Sequence, residues 1–164
     1  VILARHGADE HTIVASILKP LIDAASHGQQ ATWWGPISDK FGVAVTDLVR
    51  AAAEPRFDVL GRERSWKATR FEQLSKLAEA PSGAVDVCVA GELHRIGAAL
   101  VSIRRLGVEY LEAVDVPTPG DTLWWLEAFG EMITHHPQWA RGGMVAEYRR
   151  GARELAERIR EGCG

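Results

Sequence analysis

The sequence predicts an all-α fold, a compact bundle of about six to eight helices, on three observations. Near the start, apolar residues come as pairs four positions apart, Ile13/Val14, Ile17/Leu18 and Leu21/Ile22, which draw one broad stripe on a helix. From Ala84 to Leu106 a second stretch keeps helical spacing through Leu93, Ile96, Leu100 and Ile103. Glycines and prolines punctuate the chain around such stretches, at Gly28, Gly42, Pro81, Gly107, Pro117 and Pro137. With 164 residues, 46% hydrophobic and 25% charged, the chain suffices for the core of a single domain spanning 1–164.

Taken in order, the chain opens on Val1-Ile2-Leu3 without an initiator Met, so native residues are expected before it, and these three read as the end of an earlier helix. Asp9 is the expected N-cap of the helix running to Asp23, with Gly28 just beyond its end. Pro20 is anomalous there, because a proline in a helix interior has no N–H for the preceding turn and costs roughly 3 kcal/mol. His27 to Gln30 reads as a loop, and Trp33-Trp34-Gly35-Pro36 leads into a short helix with Ser38 and Asp39 in its first turn. Gly42 interrupts, and Val43 to Ala53 forms the next helix. Pro55 to Arg64, polar and mixed in sign, is the least ordered-looking region.

Trp66, Phe71, Leu74 and Leu77 then space an amphipathic helix, closed by Pro81-Ser82-Gly83. The run Val85, Val87, Cys88, Val89, Ala90 admits a strand, but the spacing beyond it favours one long buried helix to Leu106, stopped at Gly107. Pro117 to Asp121 is a turn that starts the helix Thr122 to His135, and Met144 to Arg160 is a charged amphipathic helix.

Composition excludes several classes. A net charge of −3 gives no general field for nucleic acid or an anionic membrane surface. Two cysteines, Cys88 read as core and Cys163 as free, are too few for a disulfide framework or a structural zinc site. No targeting, spanning or lipidation segment is visible, which makes a cytoplasmic location the expectation. His135 and His136 are adjacent and cannot both face one metal from a helix. In the Trp33-Trp34 and Trp124-Trp125 pairs, one member of each is expected to be partly exposed, at an interface or against a neighbouring loop. Arg62, Arg64, Lys67 and Arg70 are read as a solvated helix edge in preference to a polyphosphate patch.

An ordered set of short motifs carries a resemblance. Leu3-Ala4-Arg5-His6-Gly7-Ala8-Asp9-Glu10 precedes the first long helix; Ile37 to Val49 contains Phe41-Gly42; Val89-Ala90-Gly91-Glu92-Leu93-His94-Arg95 follows at the expected interval. Arg104-Arg105-Leu106-Gly107 and Asp121-Thr122-Leu123-Trp124-Trp125 complete the set. Over nearly its whole length the chain resembles the HD-domain phosphohydrolases, specifically the single-domain branch related to the alarmone hydrolases of the RelA/SpoT type. That resemblance implies a helical HD-type bundle and, in the family, hydrolysis of a nucleotide pyrophosphate at a divalent metal.

The departures matter more than the matches. The family's His-Asp ligand pair falls on Lys19-Pro20, its downstream ligating Asp on Gly91, and its Glu-Asp pair on Asp23-Ala24; its first His would lie before Val1. Imidazole and carboxylate hold a metal through lone pairs, and an ammonium, a proline and a glycine offer none. The expectation is therefore a degenerate HD domain with no metal, no cofactor and no catalytic residue, retained to bind a nucleotide or other small ligand or a protein partner, a second copy of itself included. Its remnant pocket would comprise Lys19, Asp23, Glu92, His94 and Arg95, with the Lys19 ammonium standing where a cation stood and Arg95 placed to meet a phosphate. The alternative is an enzyme, a phosphohydrolase or a metal-independent catalyst, using Asp23, Glu92 or His94 as acid or base.

Overall fold

The computed structural model describes residues 1–107 and 117–162. Among these the regular structure is eight helices: α1 (Ile2–Arg5), α2 (Glu10–Ala24), α3 (His27–Phe41), α4 (Val43–Ala52), α5 (Trp66–Ala78), α6 (Ser82–Leu106), α7 (Pro119–Thr134) and α8 (Gly142–Gly162). The all-α expectation holds, and the Val85–Ala90 run is helical. Cys163 lies outside the described residues. No helix among the described residues is long and apolar enough to cross a membrane.

Side-chain caps set the helix starts. Asp9 accepts from Thr12 N at 2.8 Å at the head of α2, as expected. Ser65 and Thr118 cap α5 and α7 in the same way, accepting from Ala68 N and Asp121 N. Ser26 and Gln29 form a reciprocal capping box, each side chain bonded to the other's backbone N–H. That box corrects the reading of His27 to Gln30 as a loop: these residues are the first turn of α3. α3 then runs through Pro36 without a break, so Ser38 and Asp39 sit in its last turns and not in the first turn of a separate helix. Gly42, at φ +85°, ends α3 and heads α4, a backbone conformation that side-chain-bearing residues rarely adopt.

Two further expectations change. Pro55 to Arg64 is well organised, with an antiparallel bridge between Phe57 and Glu63 and hydrogen bonds from Asp58 N to Arg62 O and Arg64 N to Arg56 O. The Asp58 carboxylate closes the turn by accepting from Leu60 N and Arg62 N. Charge here orders the segment because each ion meets a local partner. On α5, Phe71 faces outward and the buried face is Thr69, Gln73 and Leu77.

The chain forms two compact units, residues 1–88 with 137–139 and residues 89–136 with 140–164, and α6 contributes to both. In the first unit α2 packs on α1 and α4, and α4 packs on α3 and α5. The start of α6 comes so close that a Cβ on Gly83 would lie 2.8 Å from Thr12 Oγ1 and 2.9 Å from Leu48 Cδ2. In the second unit α7 and α8 pair around an aromatic row, with ring centroids 5.2 Å apart for Trp125–Phe129 and 5.4 Å for Phe129–Tyr148. The Tyr148 hydroxyl donates to Leu126 O, and burial pushes its pKa far up, so it stays a neutral structural donor.

Candidate functional site

α2 buries a different face from the one its apolar pairs predict. Thr12, Ala15 and Ile22 are buried, whereas Ile17 is 70% and Leu21 40% exposed. Spacing of three, four and three residues puts Lys19 on the same stripe as Thr12, Ala15 and Ile22. A lysine thus lies on the core-facing side of the helix, with only 15% of its side chain exposed.

The Lys19 ammonium donates to Asp23 one turn on, and Asp23 is itself only 19% exposed. The other Asp23 oxygen accepts from Glu54 N at 2.9 Å, and its backbone carbonyl accepts from the Arg56 guanidinium. Glu54 pairs with Arg70 at 2.9 Å, Arg70 also donates to Gln73 at 2.5 Å, and Arg56 pairs with Glu63 at 2.6 Å. Lys76 reaches the last carbonyls of α4, Arg50 O at 2.6 Å and Ala53 O at 2.8 Å, where a cation meets the negative end of the helix. Burial disfavours a charged Lys19, but Cys88 when ionised, Asp23 and Glu54 together outweigh it and hold the ammonium above the ordinary lysine value. Burial likewise works against a charged Glu54, and Arg70, Lys19 and Arg56 outweigh it, so its carboxyl lies below the usual range.

In the second unit Glu92 is buried, and its Oε2 accepts from Arg95 Nε at 2.9 Å, Arg95 Nη2 at 2.5 Å and the Trp125 indole at 3.1 Å. Arg95 is 40% exposed, and His94 faces solvent. A Cβ on Gly91 would meet nothing within 4 Å. Of the five residues singled out from the sequence, Lys19 and Asp23 meet in one unit and Glu92 and Arg95 in the other. Within its own unit Glu92 pairs with Arg95 and the Trp125 indole.

The metal that the resemblance implies is not matched by these residues. An ammonium already donating to a carboxylate, a proline and a glycine occupy the three positions, and none carries a donor lone pair. Among the described residues no three His, Cys, Asp or Glu side chains group so as to hold an ion.

Sequence reading missed Glu54 and Arg56 and placed Arg70 at a solvated edge, whereas Arg70 is 12% exposed and paired. The available signal was Pro55 just past α4, which marks the helix end; Ala53 leaves the helix with extended backbone (φ −60°, ψ 142°). Arg62, 73% exposed and paired with Asp58, is the one member of that set lying in the connector turn at the surface. Arg64 is spent on Pro55 O and Phe57 O. Of the tryptophans, Trp125 is buried beside a partly exposed Trp124, and Trp33 is 38% exposed beside a Trp34 stacked by the Arg50 guanidinium.

No protein-family model matches the chain, and no curated protein matches it. Among solved structures it is similar to lmo0812 from Listeria monocytogenes EGD-e, whose crystal structure it matches with a TM-score of 0.72 at 17% sequence identity. The match covers 95% of this chain and 89% of that one. At that identity the likeness establishes a shared fold and carries nothing about activity.

Proposed function

We infer that the chain is a degenerate HD-type domain, a cytoplasmic protein that keeps a phosphohydrolase-like helical scaffold without metal-dependent hydrolysis and serves to bind a nucleotide or other small ligand, or a protein partner. One observation carries the reading: on the buried stripe of α2, where the resemblance places the first member of a metal-binding pair, stands an ammonium already neutralised by Asp23. Polarising a phosphoryl oxygen and lowering the pKa of a bound water require an ion held by lone-pair donors. Lys19, Pro20 and Gly91 supply none.

The enzyme alternative gains nothing from the geometry. Asp23 and Glu92 are each bonded to cationic or N–H donors, which favours their charged, acceptor-only state, and His94 stands at the surface. Elemental analysis of the purified protein, together with an assay on a nucleotide 3′-pyrophosphate, tests the reading. Substoichiometric manganese, iron and zinc with no turnover is expected. A stoichiometric metal with turnover overturns it. A thermal-shift screen of guanine and adenine nucleotides without metal then separates the binding roles, since a ligand specific for the folded state raises Tm by mass action.

A further inference from the structure

We propose that the first unit carries a self-association surface: the tip of the 55–64 turn, Val59 and Leu60, seats on the outer stripe of α2, Ile17, Pro20 and Leu21, of a second copy, which does the same in return. This goes beyond the degenerate-domain reading and does not depend on it. Val59 is 97% and Leu60 72% exposed, two adjacent aliphatic side chains held out in water. The turn beneath them is fixed: Asp58 O accepts from Gly61 N, the Asp58 carboxylate accepts from Leu60 N and Arg62 N, and Gly61 takes φ +74°. At its base Arg64 is bonded to Pro55 O and Phe57 O. A projection that is already ordered loses little conformational entropy on docking.

The same unit supplies an apolar counterpart. Ile17 is 70% and Leu21 40% exposed on α2, with Pro20 exposed between them. Glu54 and Arg56 tie the turn to Asp23, two residues past Leu21, so tip and stripe belong to one continuous surface and a two-fold pair engages both at once. The charges are complementary: Arg62, 73% exposed, stands beside the tip, and Glu10, exposed and bonded to no cation among the described residues, heads the stripe. Ile17, Leu21, Val59 and Leu60 expose roughly 450 Å² in each copy, so reciprocal docking covers about 900 Å², at the lower edge of specific interfaces and suited to a reversible pair.

Analytical ultracentrifugation should show a monomer–dimer equilibrium with a Kd of about 10–100 µM. Leu60→Ser and Ile17→Gln should each raise that Kd by about tenfold or more, because a two-fold pair loses each contact twice, and each should melt within about 2 °C of the parent when monomeric. In a Cys163→Ser background, Leu60→Cys mixed with Ile17→Cys should form disulfide dimers about fivefold faster than either variant alone. A parent still monomeric at about 500 µM, a dimer that either substitution leaves intact, or a mixture that cross-links no faster than its components would overturn the proposal. So would a monomer that floats with phosphatidylglycerol vesicles and ceases to in Leu60→Ser, which would assign the tip to a lipid surface.

Discussion

At the scale of single residues, the side chain with most depending on it in the second unit is Glu92. One oxygen accepts three N–H groups, two from Arg95 and one from the buried Trp125. Glu92→Ala removes a carboxylate that accepts from the buried Trp125 indole and from the Arg95 guanidinium. A loss of about 3 kcal/mol in urea denaturation is expected, with a shift in tryptophan emission. Glu92→Gln keeps an acceptor and should lose less than half as much. The first unit repeats the device, with Asp86 Oδ1 accepting from Trp139 Nε1 at 2.7 Å.

Glu54 carries a second outcome at this scale. Its folded-state pKa lies below the unfolded value of 4.5, so its stabilisation is fully present above that value and is lost as pH falls through the depressed folded one. Lys19 has the opposite sign: its pKa is raised above 10.5, so its contribution is present below that value and disappears as pH rises through the higher folded one. Glu54→Gln should flatten the slope below pH 4.5 and, because Glu54 is one of the charges that raise the Lys19 pKa, also weaken the alkaline limb. A Glu54→Gln curve with the parent's acid slope would assign that slope to other carboxylates.

Much of this was legible from the chain where partners are close in sequence. Lys19 and Asp23 are four residues apart on one helix, and helical spacing alone brings them together. Asp23 and Glu54 N are 31 residues apart and Trp139 and Asp86 53, and no local rule pairs them.

At the scale of elements, the apolar pairs of α2 specify a helix without specifying its inward face. Each pair straddles about 100° of arc, and the core takes the edge marked by Ile22 while Ile17 and Leu21 turn outward with Pro20. The proline is tolerated on that exposed side. α2 continues through it, and Ser16, whose carbonyl it leaves without a helical N–H, donates its own hydroxyl to Ile13 O at 2.7 Å. α3 shows the same arrangement, with Pro36 four residues after Thr32, whose hydroxyl donates to Gln29 O at 2.8 Å. Pro20→Ala restores the missing hydrogen bond, and after the proline's effect on the unfolded chain is discounted, a net gain of about 1–2 kcal/mol is expected in thermal or urea unfolding. Destabilisation would mean that the ring makes a contact the helix needs. Gly83→Ala should act in the other direction, because its Cβ would press on Thr12 and Leu48, and a loss of about 1–3 kcal/mol is expected.

At the scale of the molecule, helix order and turn chemistry are spread over the whole chain, which is why fold class could be read from pattern and why a structure at 17% identity still matches over 95% of it. Activity has no such redundancy. It would rest on a few side chains, and on the reading proposed above Lys19, Pro20 and Gly91 stand where donors would be needed while the helical pattern around them is kept.

The consequence is measurable on the intact protein. A metal held at a hundred times its dissociation constant stabilises a folded protein by about 2.7 kcal/mol, which for a chain of this size moves Tm by roughly 5–10 °C. Metal-bearing domains therefore lose stability on chelation. Here Lys19 is bonded to Asp23, Glu54 to Arg70, and Arg56 to the Asp23 carbonyl and Glu63. The melting curve is expected to be the same with and without EDTA, and unmoved by manganese, zinc or magnesium. A chelator-induced fall in the parent would show that a metal is held by donors other than these.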